Sequence, residues 1–283
     1  MTPPKKRVCV VMPAYNAAKT IEKTYRDIPP STVDDVIVVD DMSHDETVKV
    51  ATQLGLHVIV HLQNKGYGGN QKTCYIEALK RGADVVVMLH PDYQYDSTRI
   101  PEMVNLILSD EADVVFGSRL LSPGGALAGG MPLWRFIPNR VLTALENLIF
   151  RQTLSECHTG FRAYSRRFLQ TIPFVLNSDD FVFDSEVIAQ AAHFDFRIKE
   201  VEVPTRYFAE ASSVPFRRSV VYGLQTLGVV SRYWLHQAGL RKDKIFAYEL
   251  ADVINPLHRL SLMKPSDNVS RFDETIFPQV RLQ

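Results

Sequence analysis

The sequence predicts an α/β fold: a mostly parallel central sheet flanked by helices. Three observations lead there. Five short runs, at 8–12, 36–39, 58–62, 85–89 and 114–116, are almost continuously apolar. That pattern belongs to strands covered on both faces. Helical patterns at about 17–28, 45–54, 69–81 and 98–109 lie between them. Caps fall at the seams: Asp45 and Ser97 stand where helices should start, and Gly55 and Gly82 just past helix ends. Four βα units in this order give a parallel sheet with right-handed crossovers.

After Arg119 the rhythm changes. Residues 122–131 (SPGGALAGGM) are glycine-rich and read as a mobile loop. An amphipathic helix is expected at 132–150, a polar segment with HTGFR at 158–162, a helix near 184–193, a strand near 196–203 and a helix over 216–237. The last 20 residues are polar and aperiodic, as in a loosely held tail.

Composition narrows the function classes. The 283 residues are 46% apolar and 23% charged, enough for a buried core, which excludes disordered, collagen-like and coiled-coil chains. Lys+Arg and Asp+Glu are both 32, so there is no bulk electrostatic grip on nucleic acid, and no nucleic-acid partner is expected. Cys9, Cys74 and Cys157 are far apart and form no CxxC pair, which fits a reducing cytoplasm. The short apolar run near the N-terminus reads as a strand, not a signal peptide, and no stretch reaches about 18 uninterrupted apolar residues.

In open parallel sheets, ligands bind outside the carboxyl ends of the strands. Here these ends carry Pro13-Ala14-Tyr15-Asn16, Asp40-Asp41-Met42-Ser43, Asn64-Lys65-Gly66-Tyr67-Gly68-Gly69, His90-Pro91-Asp92-Tyr93-Gln94 and Gly117-Ser118-Arg119. All five are polar. The first turn lacks GxGxxG and no Walker A sequence occurs, so neither a dinucleotide-dependent dehydrogenase nor a P-loop NTPase is expected.

The ordered set PAYN, VVDDMSHDET, NKGYGG, HPDYQ, GSR and HTGFRAY resembles family 2 glycosyltransferases, and within them the dolichol-phosphate mannosyltransferase-like branch. The resemblance covers about residues 7–210. It implies a GT-A fold, a nucleotide-sugar donor carrying UDP or GDP, and an inverting hexosyl transfer. It also implies one domain over 1–240, with a donor half (1–120) and an acceptor half (121–240), followed by a C-terminal extension at 241–283.

By the same resemblance Pro13, Tyr15, Asn16, Asp40, Asp41, Lys65, Gly68 and Arg119 hold the donor. Either Asp40 or Asp41 could accept a hydrogen bond from a base N–H. Glycines before a helix allow close backbone approach to a phosphate, or simply an ordinary turn. The family's Asp-x-Asp holds Mg²⁺ or Mn²⁺, which neutralises the diphosphate. Here the aligned residues are His90, Asp92 and Gln94, with His90 in the first carboxylate's place. Asp92 is then the anchor; His90 is a ligand or an outer residue, and imidazole suits Mn²⁺ better than Mg²⁺. Arg162, Arg206 and Ser213 are the candidates for the acceptor phosphate, and Asp92, Asp184 and Arg162 for the catalytic group. A hydroxyl acceptor needs a general base, for which Asp179, Asp180, Asp184 and Glu186 are the available carboxylates, the last two equally helix N-terminal acids; an ionised phosphate acceptor needs none.

The acceptor implied is a polyprenyl phosphate, with a cytoplasmic location and peripheral contact at the inner face of the membrane through the basic amphipathic segment 214–237; the same segment also reads as a core-packing helix with snorkelling cations. Two other readings stand beside it: the same chemistry on a hydroxyl of a saccharide, lipid or natural product, and a catalytically silent nucleotide-sugar binding protein.

Overall fold

The computed structural model describes residues 5–122, 125–204, 216–253 and 280–282. Its sheet is built from β1 (Val8–Ala14), β2 (Asp35–Asp40), β3 (His57–His61), β4 (Val85–Met88), β5 (Val114–Ser118), β6 (Arg162–Ser165), β7 (Ile198–Glu202) and β8 (Val280–Leu282), in the spatial order β7-β5-β6-β4-β1-β2-β3-β8. β4, β1, β2 and β3 run parallel, as do β5 and β7. All five expected strands form within a residue or two of their predicted limits.

Both faces of the sheet are covered, which explains the unbroken apolar runs. On β1, Cys9 and Val11 join one core while Val8, Val10 and Met12 join the other. The helices α1 (Ile21–Arg26), α2 (Thr47–Gln53) and α4 (Ile100–Leu108) cover the second face. The first is covered by α3 (Gly66–Lys80), α7 (Arg166–Thr171), α8 (Phe183–His193) and α9 (Phe216–Gln237). Gly55 and Gly82 end helices with φ of 74° and 81°, as anticipated. α4 is preceded by a 3₁₀ turn capped by Asp96, one residue before the expected cap.

Three features depart from the sequence reading. The polar segment around HTGFR carries no expected strand, yet it contributes β6, which inserts antiparallel between β4 and β5. Arg162 pairs there with Met88 on one side and Phe116 on the other. The expected glycine-rich loop holds a short helix, α5 (Gly125–Ala128), with Ala126 and Met131 buried. Beyond α6 (Leu133–Phe150) and α9, the extension forms α10 (Lys244–Ala247) and α11 (Leu250–Val253), whose Ile245, Phe246 and Leu250 enter the core. In the expected tail, β8 pairs antiparallel with β3.

Candidate active site

The carboxyl ends of β4, β1 and β2 lie side by side, and β6 brings the 158–161 loop next to them. Loops from these ends are stitched together. Ser43 Oγ accepts from Asn16 N at 2.8 Å, and Asn16 Oδ1 accepts from His44 N at 2.9 Å. Asn16, Met42 and Tyr93 have φ of 52°, 65° and 61°. Left-handed backbone is uncommon outside glycine, and here it recurs just past three adjacent strands. Tyr15 is exposed at this mouth, edge-on to His44, whereas Pro13 is buried inside β1.

The two aspartates after β2 differ. Asp41 is fully engaged in holding the β3–α3 turn: it accepts from His61 Nδ1 at 2.7 Å, Lys65 N at 2.8 Å and Gly66 N at 2.9 Å. His61 continues through Nε2 to Thr73 at 3.0 Å. Asp40 accepts from Ser43 N at 2.9 Å through Oδ2, while its buried Oδ1 has no partner. Lys65 is half-buried, and burial lowers its pKa despite Asp41 and Asp179 nearby.

The glycines of NKGYGG do not present a free helix N-terminus to a phosphate. The Asp179 carbonyl accepts from Gly68 N at 2.8 Å and Gly69 N at 3.4 Å. A Cβ on Gly68 would lie 2.3 Å from Ser178 O. The close approach that these glycines permit is that of the chain's own 178–183 segment.

His90, Asp92 and Gln94 come together past β4. Asp92 is half-buried; its Oδ1 accepts from Gln94 N at 3.1 Å, and burial raises its pKa. Burial also lowers the pKa of His90, and each group senses the other's charge. Among the described residues no three His, Cys, Asp or Glu side chains form a closed cage. A desolvated carboxylate with an oxygen to spare instead fits a cation whose remaining ligands are water and diphosphate oxygens.

The predicted phosphate-binding arginines are placed otherwise. Arg162 is fully buried, stacked on Phe116, and donates to the carbonyls of Thr159 at 2.8 Å, Cys157 at 3.1 Å and Asp184 at 3.2 Å. It therefore shapes the 157–162 loop, and its guanidinium has no exposed surface. Arg119 is clasped by the buried Glu156 carboxylate, with Nε 2.9 Å from Oε1. Burial alone would push the Glu156 carboxyl up; Arg119 outweighs it and holds the group below its usual value. Asp184 is buried and engaged: it accepts from Tyr67 Oη at 2.7 Å and Gln71 Nε2 at 3.3 Å, with Arg162 3.5 Å away. Arg206 and Ser213 lie outside the described residues.

Sequence reasoning missed Tyr67, Gln71, His61 and Glu156. Tyr67 and Gln71 are four residues apart in α3, so one helix face aims both at Asp184. That spacing was visible in the sequence; the partner was not.

The chain has known relatives in sequence and in fold. The chain is 28% identical over 219 residues to UDP-N-acetylglucosamine–dolichyl-phosphate N-acetylglucosaminyltransferase of Methanococcus voltae, covering 71% of this chain and 86% of that one. It is 32% identical over 197 residues to the low-salt glycan biosynthesis hexosyltransferase Agl6 of Haloferax volcanii, covering 68% of this chain and 46% of that one. Among solved structures, glucosyl-3-phosphoglycerate synthase from Mycobacterium tuberculosis, in complex with Mn²⁺, UDP and glucosyl-3-phosphoglycerate, superposes with a TM-score of 0.59 at 18% identity. That match covers 84% of this chain and 82% of the synthase, and the likeness is one of fold, the GT-A arrangement. Residues 9–173 match the glycosyl transferase family 2, and with the strand-end site in place the chain belongs to that family.

Proposed function

We propose that the chain is an inverting, metal-dependent hexosyltransferase of the dolichol-phosphate mannosyltransferase-like branch. It moves a sugar from a UDP- or GDP-sugar to a polyprenyl phosphate at a membrane surface. Tyr15 offers a ring face to the base, and Asp40 Oδ1 is the acceptor for a base N–H. Asp92, with Gln94 beside it, holds Mn²⁺ or Mg²⁺. When bound, the cation stabilises the departing diphosphate as a Lewis acid. Relatives that act on dolichyl phosphate and in glycan biosynthesis support this reading.

The engagement of Asp184 carries the choice of acceptor. A carboxylate accepting from Tyr67 and Gln71 beside Arg162 is poorly placed to take a proton from a hydroxyl. Glu186, the other buried acid on α8, accepts from Ser178 N and pairs with Arg232 at 2.8 Å. An ionised phosphate needs no base. Exposed apolar residues on two helices support a lipid acceptor. Ile137 and Val141 on α6 and Val220, Leu224 and Leu227 on α9 are exposed on two helices that pack together, with Arg140, Arg217 and Arg218 exposed on the same helices. These two stripes extend beyond segment 214–237, and their apolar and basic residues suit an anionic bilayer interface. Both helices touch the site loop: Asn139 donates to Glu156 at 2.9 Å, and Tyr222 bonds His158 at 2.7 Å. No helix among the described residues is long and apolar enough to cross a membrane.

The test is transfer of radiolabelled sugar from UDP- and GDP-sugars to polyprenyl phosphate in vesicles with Mn²⁺. A lipid-phosphate-sugar product is expected, and Asp92→Asn should lower its formation at least about 100-fold, or about 2.7 kcal/mol of barrier. Sugar appearing only on hydroxyl acceptors, or only bound and never transferred, would replace this reading.

A further inference from the structure

His90 stands where the resembled motif carries a carboxylate, and the protein dictates which ring nitrogen it offers. Tyr67 Oη lies 2.7 Å from Asp184 Oδ2 and 3.2 Å from His90 Nε2. A tyrosine hydroxyl has one proton. The short contact to a carboxylate held beside Arg162 takes that proton. The Tyr67 oxygen can then only accept from His90, so the hydrogen sits on Nε2. Gly160 packs against the same side of the ring: a Cβ there would lie 2.7 Å from Cδ2 and 2.8 Å from Nε2. Nδ1 has no hydrogen-bond partner among the described residues and is not an enclosed orphan atom. A neutral imidazole in this state carries its lone pair on Nδ1.

We propose that Tyr67 is a positioning residue of the cation site. It fixes His90 as the Nε2–H tautomer, and Nδ1 serves as the ligand in place of the absent carboxylate. Outer partners of ligating histidines fix tautomer and orientation in this way, and their loss costs about 10–100-fold in metal affinity. A nitrogen ligand also biases the site toward Mn²⁺ over Mg²⁺, which demands oxygen. The inference rests on the metal-dependent reading above and adds the nitrogen used and the residue that selects it.

The test uses the full chain labelled with ¹⁵N-histidine. NMR without metal should show His90 protonated at Nε2, with His90→Asn identifying its signals. Pulsed EPR of Mn²⁺ bound with UDP or GDP should show a histidine nitrogen coupling that disappears in His90→Asn. Tyr67→Phe keeps the ring stacked 4.6 Å from Phe181 and should fold. It should give a mixture of His90 tautomers and bind Mn²⁺ about 10–100-fold more weakly. An Nδ1–H tautomer, bound Mn²⁺ without nitrogen coupling, or wild-type affinity in Tyr67→Phe would overturn the inference while leaving the cation site standing. No Mn²⁺ binding with either nucleotide would refute the cation site itself, and the inference with it.

Discussion

At Arg162 the identity of a side chain and its role come apart. Its place inside HTGFRAY pointed to a phosphate, and its charge made that reasonable. Folded, the guanidinium is fully buried and donates to three backbone carbonyls. Removing one partner of a buried ionic group leaves the rest uncompensated. Arg162→Ala should therefore destabilise the protein by about 3–5 kcal/mol. Denaturant unfolding would show a lowered midpoint; a normal midpoint with acceptor KM alone raised would mean that Arg162 meets the acceptor phosphate after all. The sequence named Asp40 and Asp41 together and could not separate them. The separation comes from His61 on β3 and the Lys65 and Gly66 amides, which saturate Asp41 and leave Asp40 with a free oxygen. Those partners are 20 or more residues away in the chain, so no local pattern encodes them.

At the scale of elements, periodicity was a reliable guide wherever an element buries the face its own pattern defines. β1 to β5 and the long helices α6 and α9 follow from apolar spacing alone. β6 has four residues, Arg162–Ser165, one of them charged, and is a strand only because β4 and β5 leave a gap for it. The start of α3 depends in the same way on another segment. Gly68→Ala would drive a methyl into Ser178 O, 2.3 Å away, and should destabilise by more than the ~1–3 kcal/mol of ordinary overpacking. Calorimetric melting would detect it, and an unchanged Tm would show that the 178–183 segment yields freely. The exposed apolar stripes of α6 and α9 make the opposite prediction. Ile137→Glu with Leu224→Glu, which are 57% and 65% exposed, should leave the Tm unchanged and reduce binding to anionic vesicles at least about tenfold. Undiminished binding in a sedimentation assay would remove this face from the membrane reading.

Across the whole molecule, one buried pair ties the acceptor-side helices to the site loop. Glu146 on α6 and His158 lie 3.2 Å apart with no exposed carboxylate surface, and Tyr222 on α9 holds the other histidine nitrogen. Burial pushes Glu146 up to about 8 and His158 down to about 4, so neither is charged near neutrality. The unfolded values are 4.5 and 6.5. Between pH 4.5 and 6.5 each state of the pair holds one proton, on His158 when unfolded and on Glu146 when folded, so stability is nearly flat. From about pH 6.5 to 8 only the folded chain holds a proton, and stability falls as pH rises. Glu146→Gln should abolish that fall. Thermal melts from pH 6 to 8.5 should diverge between the two proteins, and equal slopes would show that the pair does not titrate in this range.

The sequence by itself determined the α/β class, the first five strands, their polar carboxyl ends and the family. All of these rest on short-range periodicity and on motifs read within one loop. Tertiary structure alone decided which aspartate is free, that the glycines admit the chain's own backbone, that Arg162 supports a loop, and that Tyr67 orients His90. The physical reason is that hydrogen-bond partners and desolvation come from elements distant in the chain, and only folding brings them to the same atom.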